Sequence, residues 1–89
     1  MTTSGTIKKL VAKVKGDPSL EARLGDRSDL VEEVGLDSLE MLRFMLEIEA
    51  TLAVQIDFDR LEFSTLRSID SLAAFLDAMP PRQVSSDAP

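Results

Sequence analysis

Cysteine, histidine, tryptophan and tyrosine are all absent from this chain of 89 residues. The lack of cysteine excludes disulfides, thiolate metal sites and thiol nucleophiles. The lack of histidine removes the usual zinc ligand sets and the imidazole base that normally activates a serine nucleophile. Scattered carboxylates alone do not define a catalytic acid and base. We therefore expect a protein that is neither a metalloprotein nor an enzyme.

Long apolar runs are also scarce, and acidic residues outnumber basic ones by 16 to 10. No segment is apolar for long enough to span a bilayer, and the first ten residues lack the core of a signal peptide. The net charge is −6, and residues 26–62 contain eleven acidic side chains against three basic ones. This acidity suits simple solubility, but it also repels nucleic acids and membranes and attracts basic protein surfaces. We expect a cytoplasmic monomer with protein partners.

Helical periodicity accounts for the first part of the chain. A first helix is predicted from apolar residues spaced three and four apart, with Gly16 as its C-terminal stop; these residues are Ile7, Leu10, Val11 and Val14. Asp17 and Pro18 indicate a short helical turn over residues 18–24. The polar stretch 26–36 that follows contains four apolar residues, which predicts a loop held against the core.

The second half of the chain predicts further helices. Residues 38–52 form a second helix, a short helix runs from Arg60 to Phe63, and Ser68 caps a last helix. The fold class is therefore all-α, a small bundle of three main helices plus one short helix. Residues 1–79 form a single domain, and residues 80–89 form a disordered tail. The aromatic candidates for the interior are Phe44, Phe58, Phe63 and Phe75.

The second helix has too many apolar residues for one face. At about 100° per residue, a core-facing stripe contains Met41, Phe44, Met45, Ile48 and Leu52. A second stripe contains Leu39, Leu42 and Leu46, bordered by Glu49 on one side and by Glu40, Arg43 and Glu47 on the other. Either the bundle buries both stripes, or the second stripe is exposed as a docking strip for other proteins.

The start of this helix has its own pattern. Asp37 is suited to cap the helix and Glu40 to complete a capping box, so the tetrapeptide DSLE requires no function by itself. Ser38, however, lies where the loop meets the helix, with unpaired backbone N–H groups and the positive end of the helix dipole nearby. A phosphoryl-linked modification would be stabilised at that position.

These residues resemble a known family. The stretch Gly35-Leu36-Asp37-Ser38-Leu39, followed by Glu40 and an amphipathic helix, is similar to the phosphopantetheine-attachment motif of acyl carrier proteins. The resemblance extends from about Ile7 to Leu76. It implies that a phosphopantetheinyl transferase attaches 4'-phosphopantetheine to Ser38, flanked by Asp37 and Leu39, with coenzyme A as donor. The arm then holds an acyl or aminoacyl cargo as a thioester, so the serine is a substrate and the protein no enzyme.

The resemblance also implies partners. Helix residues that match the docking positions of such carriers are Leu39, Glu40, Leu42, Arg43, Leu46, Glu47 and Glu49. The implied partners are acyltransferases, adenylating enzymes or ketosynthase-type enzymes with basic docking patches. Arg43, Ala50 and Thr51 stand where many fatty-acid carriers are acidic, which indicates a dedicated partner.

The expected role is that of a free-standing acyl carrier in polyketide or related secondary-metabolite biosynthesis. Two alternatives stay open. One is an aminoacyl or peptidyl carrier of a nonribosomal pathway, although Asp37 before the serine favours an acyl carrier. The other is an unmodified helical module that binds partners through its leucines.

Overall fold

The computed structural model describes residues 2–79, which form helices joined by loops. Helix α1 spans Thr3–Lys15, α2 Leu20–Arg23, α3 Ser38–Leu52 and α4 Ile69–Asp77, and a 3-10 helix covers Phe63–Arg67. The described part of the chain contains no strand, so the predicted all-α bundle is confirmed. The predicted tail, residues 80–89, lies outside the described residues.

Helix α1 is the central element, because it packs against α2, α3 and α4. The hydroxyl of Thr2 accepts a hydrogen bond from the N–H of Gly5 at 3.0 Å and so caps the first turn. At the other end Gly16 adopts the left-handed conformation with φ 69°, which confirms it as the stop. Ile7 and Val11, from the predicted stripe, are fully buried.

Helices α3 and α4 supply the rest of the core. Phe44, Met45 and Ile48 on α3 are buried, as are Ile69 and Leu72 on α4. Helix α4 begins as predicted, because the Ser68 hydroxyl accepts a hydrogen bond from the N–H of Ser71 at 3.0 Å. The core-facing stripe of α3 therefore lies where the periodicity placed it.

The predicted short helix is present, but it begins at Phe63, three residues later than the approximate start predicted at Arg60. Residues 58–60 form a turn, in which the N–H of Arg60 donates to the carbonyl of Asp57 at 3.0 Å. Glu62 is extended, with φ −99° and ψ 154°, so the 3-10 helix begins only at Phe63. This later start places Leu66 in the core instead of Phe63.

Two of the four phenylalanines predicted for the interior are on the surface. Phe44 is fully buried and Phe75 is half-buried, but Phe58 and Phe63 are 51% and 61% exposed. The turn at residues 58–60 and the first position of the 3-10 helix direct these two rings outward. Ile56 and Leu66 fill the corresponding interior space.

Candidate functional site

The loop that precedes α3 is fixed on the core although its last residues are exposed. Leu30 and Leu36 are buried, and the N–H of Leu36 donates to the carbonyl of Leu30 at 3.2 Å. Between them Gly35 adopts φ 74°, a left-handed conformation that strains residues with a Cβ. The loop therefore reaches α3 by a defined turn, and it holds Asp37 and Ser38 at the surface.

The carboxylate of Asp29 stabilises this loop through hydrogen bonds to its backbone. The side chain of Asp29 accepts hydrogen bonds from the N–H groups of Val31 at 2.8 Å and Glu32 at 2.9 Å. Its second oxygen accepts from the Arg67 guanidinium at 2.6 Å, which joins the loop to the 3-10 helix. The amide of Glu32 first, and then Arg67, lower the pKa of the Asp29 carboxyl below its usual value.

The predicted capping box forms at the N-terminus of α3. An Asp37 carboxylate oxygen accepts from the N–H of Glu40 at 2.8 Å, and the Glu40 carboxylate accepts from the N–H of Asp37 at 3.1 Å. Glu40 also forms an ion pair with Lys15 of α1 at 3.1 Å. These contacts hold the first turn of α3 against α1 and leave the side chain of Ser38 in solvent.

The second apolar stripe of α3 is on the surface. Leu39, Leu42 and Leu46, which we call the leucine strip, are 62%, 53% and 55% exposed. Ile48 on the same helix is fully buried, so the two faces differ sharply in their environment. The interpretation in which the bundle buries both stripes is therefore wrong.

The acids beside the leucine strip have contacts within the chain. Glu47 forms an ion pair with Lys13 at 3.1 Å, and Glu49 accepts a hydrogen bond from the N–H of Ile56 at 2.9 Å. Arg43 is exposed and forms no ion pair with any residue in the range 2–79. The sequence pattern does not indicate the ion pair between Lys13 and Glu47, because these residues are 34 positions apart.

Residues 5–76 match the model of the family described as "Phosphopantetheine attachment site". The chain belongs to this family. The matched span begins in α1 and ends in α4, so it covers nearly all of the described bundle. Comparisons with curated proteins and with solved structures returned no significant match. Membership confirms the acyl carrier resemblance.

The prosthetic group of a phosphopantetheine-attachment domain is 4'-phosphopantetheine. The α3 N-terminus fits a phosphate-linked group, because Ser38 is exposed and a 15-residue helix begins there. Within residues 2–79 the amides of Glu40 and Met41 bond to Asp37, whereas those of Ser38 and Leu39 have no acceptor. Two backbone donors are thus open beside the Ser38 hydroxyl.

Domains of the phosphopantetheine-attachment family are carriers that work with partner enzymes and are not themselves catalytic. The exposed leucine strip runs along α3 from the residue after Ser38. No helix within residues 2–79 is both long and apolar enough to cross a bilayer.

Proposed function

We propose that this chain is an acyl carrier protein with Ser38 as the attachment residue. In a reaction catalysed by a phosphopantetheinyl transferase, the Ser38 hydroxyl oxygen attacks the phosphorus of coenzyme A that bears the pantetheine arm. The pyrophosphate linkage breaks, adenosine 3',5'-bisphosphate leaves, the serine loses its proton, and a phosphodiester joins the arm to Ser38. The thiol of the arm supplies the thioester chemistry that a chain without cysteine lacks. The family match together with the exposure of Ser38 carries this proposal.

Three other serines in the described bundle, Ser19, Ser28 and Ser68, are less suited to this role. Ser28 is 6% exposed and bonds to Glu33, and the Ser68 hydroxyl is used as a helix cap. Ser19 is exposed, but its hydroxyl donates to Asp17 at 2.6 Å and it precedes a helix of only four residues. Ser38 combines solvent access, a long helix and open amides, which favour an attached phosphate.

The neighbours of Ser38 keep the attachment point in place. Asp37 and Glu40 fix the first turn through the capping box, and Gly35 provides the turn that leads into it. Leu39 lies next to the attachment residue and is the most exposed of the leucine strip. We assign Asp37 and Leu39 the role of flanking the arm without contributing a reacting atom.

Partner enzymes dock on α3 in this proposal. The leucine strip gives them apolar contact area, and Glu40, Arg43, Glu47 and Glu49 form its charged border. We place the protein in polyketide or related secondary-metabolite biosynthesis, served by an acyltransferase, an adenylating enzyme or a ketosynthase-type enzyme. The positive charge of Arg43 on the docking helix supports a dedicated partner over a general fatty-acid synthase.

Intact-mass measurement tests the attachment. The purified chain is incubated to completion with coenzyme A and a broad-specificity phosphopantetheinyl transferase. We expect the mass to increase by one phosphopantetheine group in wild type and in the control variant Ser19→Ala, and to stay unchanged in Ser38→Ala. If wild type gains no mass, the proposal fails and the helical interaction module is the favoured interpretation. If Ser38→Ala gains the mass, the arm is attached to another residue.

A further inference from the structure

A groove separates the C-terminal half of α1 from α3 on the side of the leucine strip. It has a volume of about 340 Å³ and is lined by Lys13, Val14, Arg43, Leu46 and Glu47. Leu46 belongs to the leucine strip, so this groove continues the apolar surface on which partners are proposed to dock. The two apolar side chains lie among three charged ones.

The charges that line this groove do not cancel. Lys13 and Glu47 form an ion pair at 3.1 Å, with the Lys13 side chain 64% exposed. Arg43 is the third charge, and it has no ionic partner among residues 2–79. Two cations and one carboxylate give the groove a net charge of +1, opposite in sign to the −6 of the whole chain.

The other acids of α3, Glu40 and Glu49, do not line this groove. Glu40 is paired with Lys15, and Glu49 accepts the backbone N–H of Ile56. Among the charged side chains of α3, Arg43 is therefore the one without a partner in the described part of the chain. A partner that placed a basic residue in this groove would meet a like charge, which is unfavourable.

We infer that this groove receives a carboxylate side chain of the enzyme that loads the cargo, which ion-pairs with Arg43 beside an apolar residue packed on Leu46 and Val14. Arginine suits this role, because its guanidinium binds a carboxylate through two parallel hydrogen bonds. A nucleic acid is a poor occupant, since the strongly acidic residues 26–62 repel a polyanion. The inference rests on the proposed function and names one determinant of its specificity.

Loading kinetics test this contact. Wild type and variants are first converted to the phosphopantetheine form to completion, and intact mass verifies the conversion. The probe is the purified adenylating enzyme or acyltransferase encoded beside the gene for this chain, and kcat/KM is measured for the loading of each carrier. The variants are Arg43→Glu and Arg43→Lys. The matched control is Arg27→Glu, which makes the same charge change at an exposed residue outside α3. Arg27 lies in the loop whose next residue, Ser28, accepts a hydrogen bond from the N–H of Ile69 at the start of α4.

We expect Arg43→Glu to lower kcat/KM by about tenfold or more through a higher KM, with kcat retained. Arg43→Lys retains the charge and should lose less, whereas Arg27→Glu should stay within about twofold of wild type.

Equal loading of Arg43→Glu and wild type, or equal losses in Arg43→Glu and Arg27→Glu, would overturn the inference. Binding of single-stranded DNA that shifts the amide resonances of Lys13 and Arg43 would do so too, because it would assign the groove to phosphate. If wild type does not acquire the arm at all, the proposed function fails instead, and the mass measurement identifies that case before any kinetics.

Discussion

Alanine substitutions on the two faces of α3 should lower the free energy of unfolding by very different amounts. Ile48 is fully buried, so Ile48→Ala removes core contacts and leaves a cavity, and we expect it to lower the free energy of unfolding by about 2–5 kcal/mol. Leu42 is 53% exposed and buries only about half of its apolar surface. Leu42→Ala should therefore cost about 1 kcal/mol or less.

Urea denaturation followed by circular dichroism at the helical band measures both changes. The linear dependence of the unfolding free energy on urea gives each midpoint, and an unchanged slope shows that the two variants unfold as wild type does. In a thermal scan, each kcal/mol corresponds to about 4–8 °C in Tm for a domain of this size. Equal costs for Ile48→Ala and Leu42→Ala would refute the assignment of the two faces, because they would place Leu42 in the core.

Three further predictions concern the docking surface and the loop before α3. Leu42→Asp should lower the efficiency of loading by partner enzymes at least about tenfold while the helical circular dichroism is retained, since an exposed aspartate costs the helix only about 0.5 kcal/mol; unfolding would contradict this. Gly35→Val should cost about 1–2 kcal/mol in urea denaturation because φ is 74°, whereas Gly25→Val, at a glycine without positive φ, should cost less. The pKa of Asp29 is lowered in the folded state, so its stabilising effect is present above about pH 4 and is lost as the pH falls through the folded pKa. Asp29→Asn should therefore lose less stability than wild type between about pH 4 and pH 2, and equal acid sensitivity would show that Asp29 is not responsible.

Sequence patterns predicted the helix ends and the two faces of α3, because these features depend on residues that are close together in the chain. Gly16, Asp37 and Ser68 were expected at helix ends, and each is found there, because capping depends on residues within one turn. The two faces of α3 follow equally from helical periodicity. The size of the chain favoured exposure of the leucine strip, since few other helices are available to cover it.

Features that depend on distant residues were not predictable in the same way. The contact between Asp29 and Arg67 joins residues 38 positions apart, and nothing local to either one indicates the other. The same holds for the lysines of α1 that pair with Glu40 and Glu47. Phe58 was named as a candidate for the interior, but the turn at residues 58–60 places its ring on the surface. Tertiary contacts decide such positions.

Localisation of the added mass within the chain shows whether Ser38 bears the phosphopantetheine arm. After reaction with coenzyme A and the transferase, trypsin cleaves beside Arg27 and Arg43 and releases peptide 28–43, which contains both Ser28 and Ser38. We expect the phosphopantetheine mass on every fragment that includes Ser38 and on no fragment that includes Ser28 alone. The mass on the Ser28 fragments, or a peptide that stays unmodified while the intact protein gains mass, would contradict it.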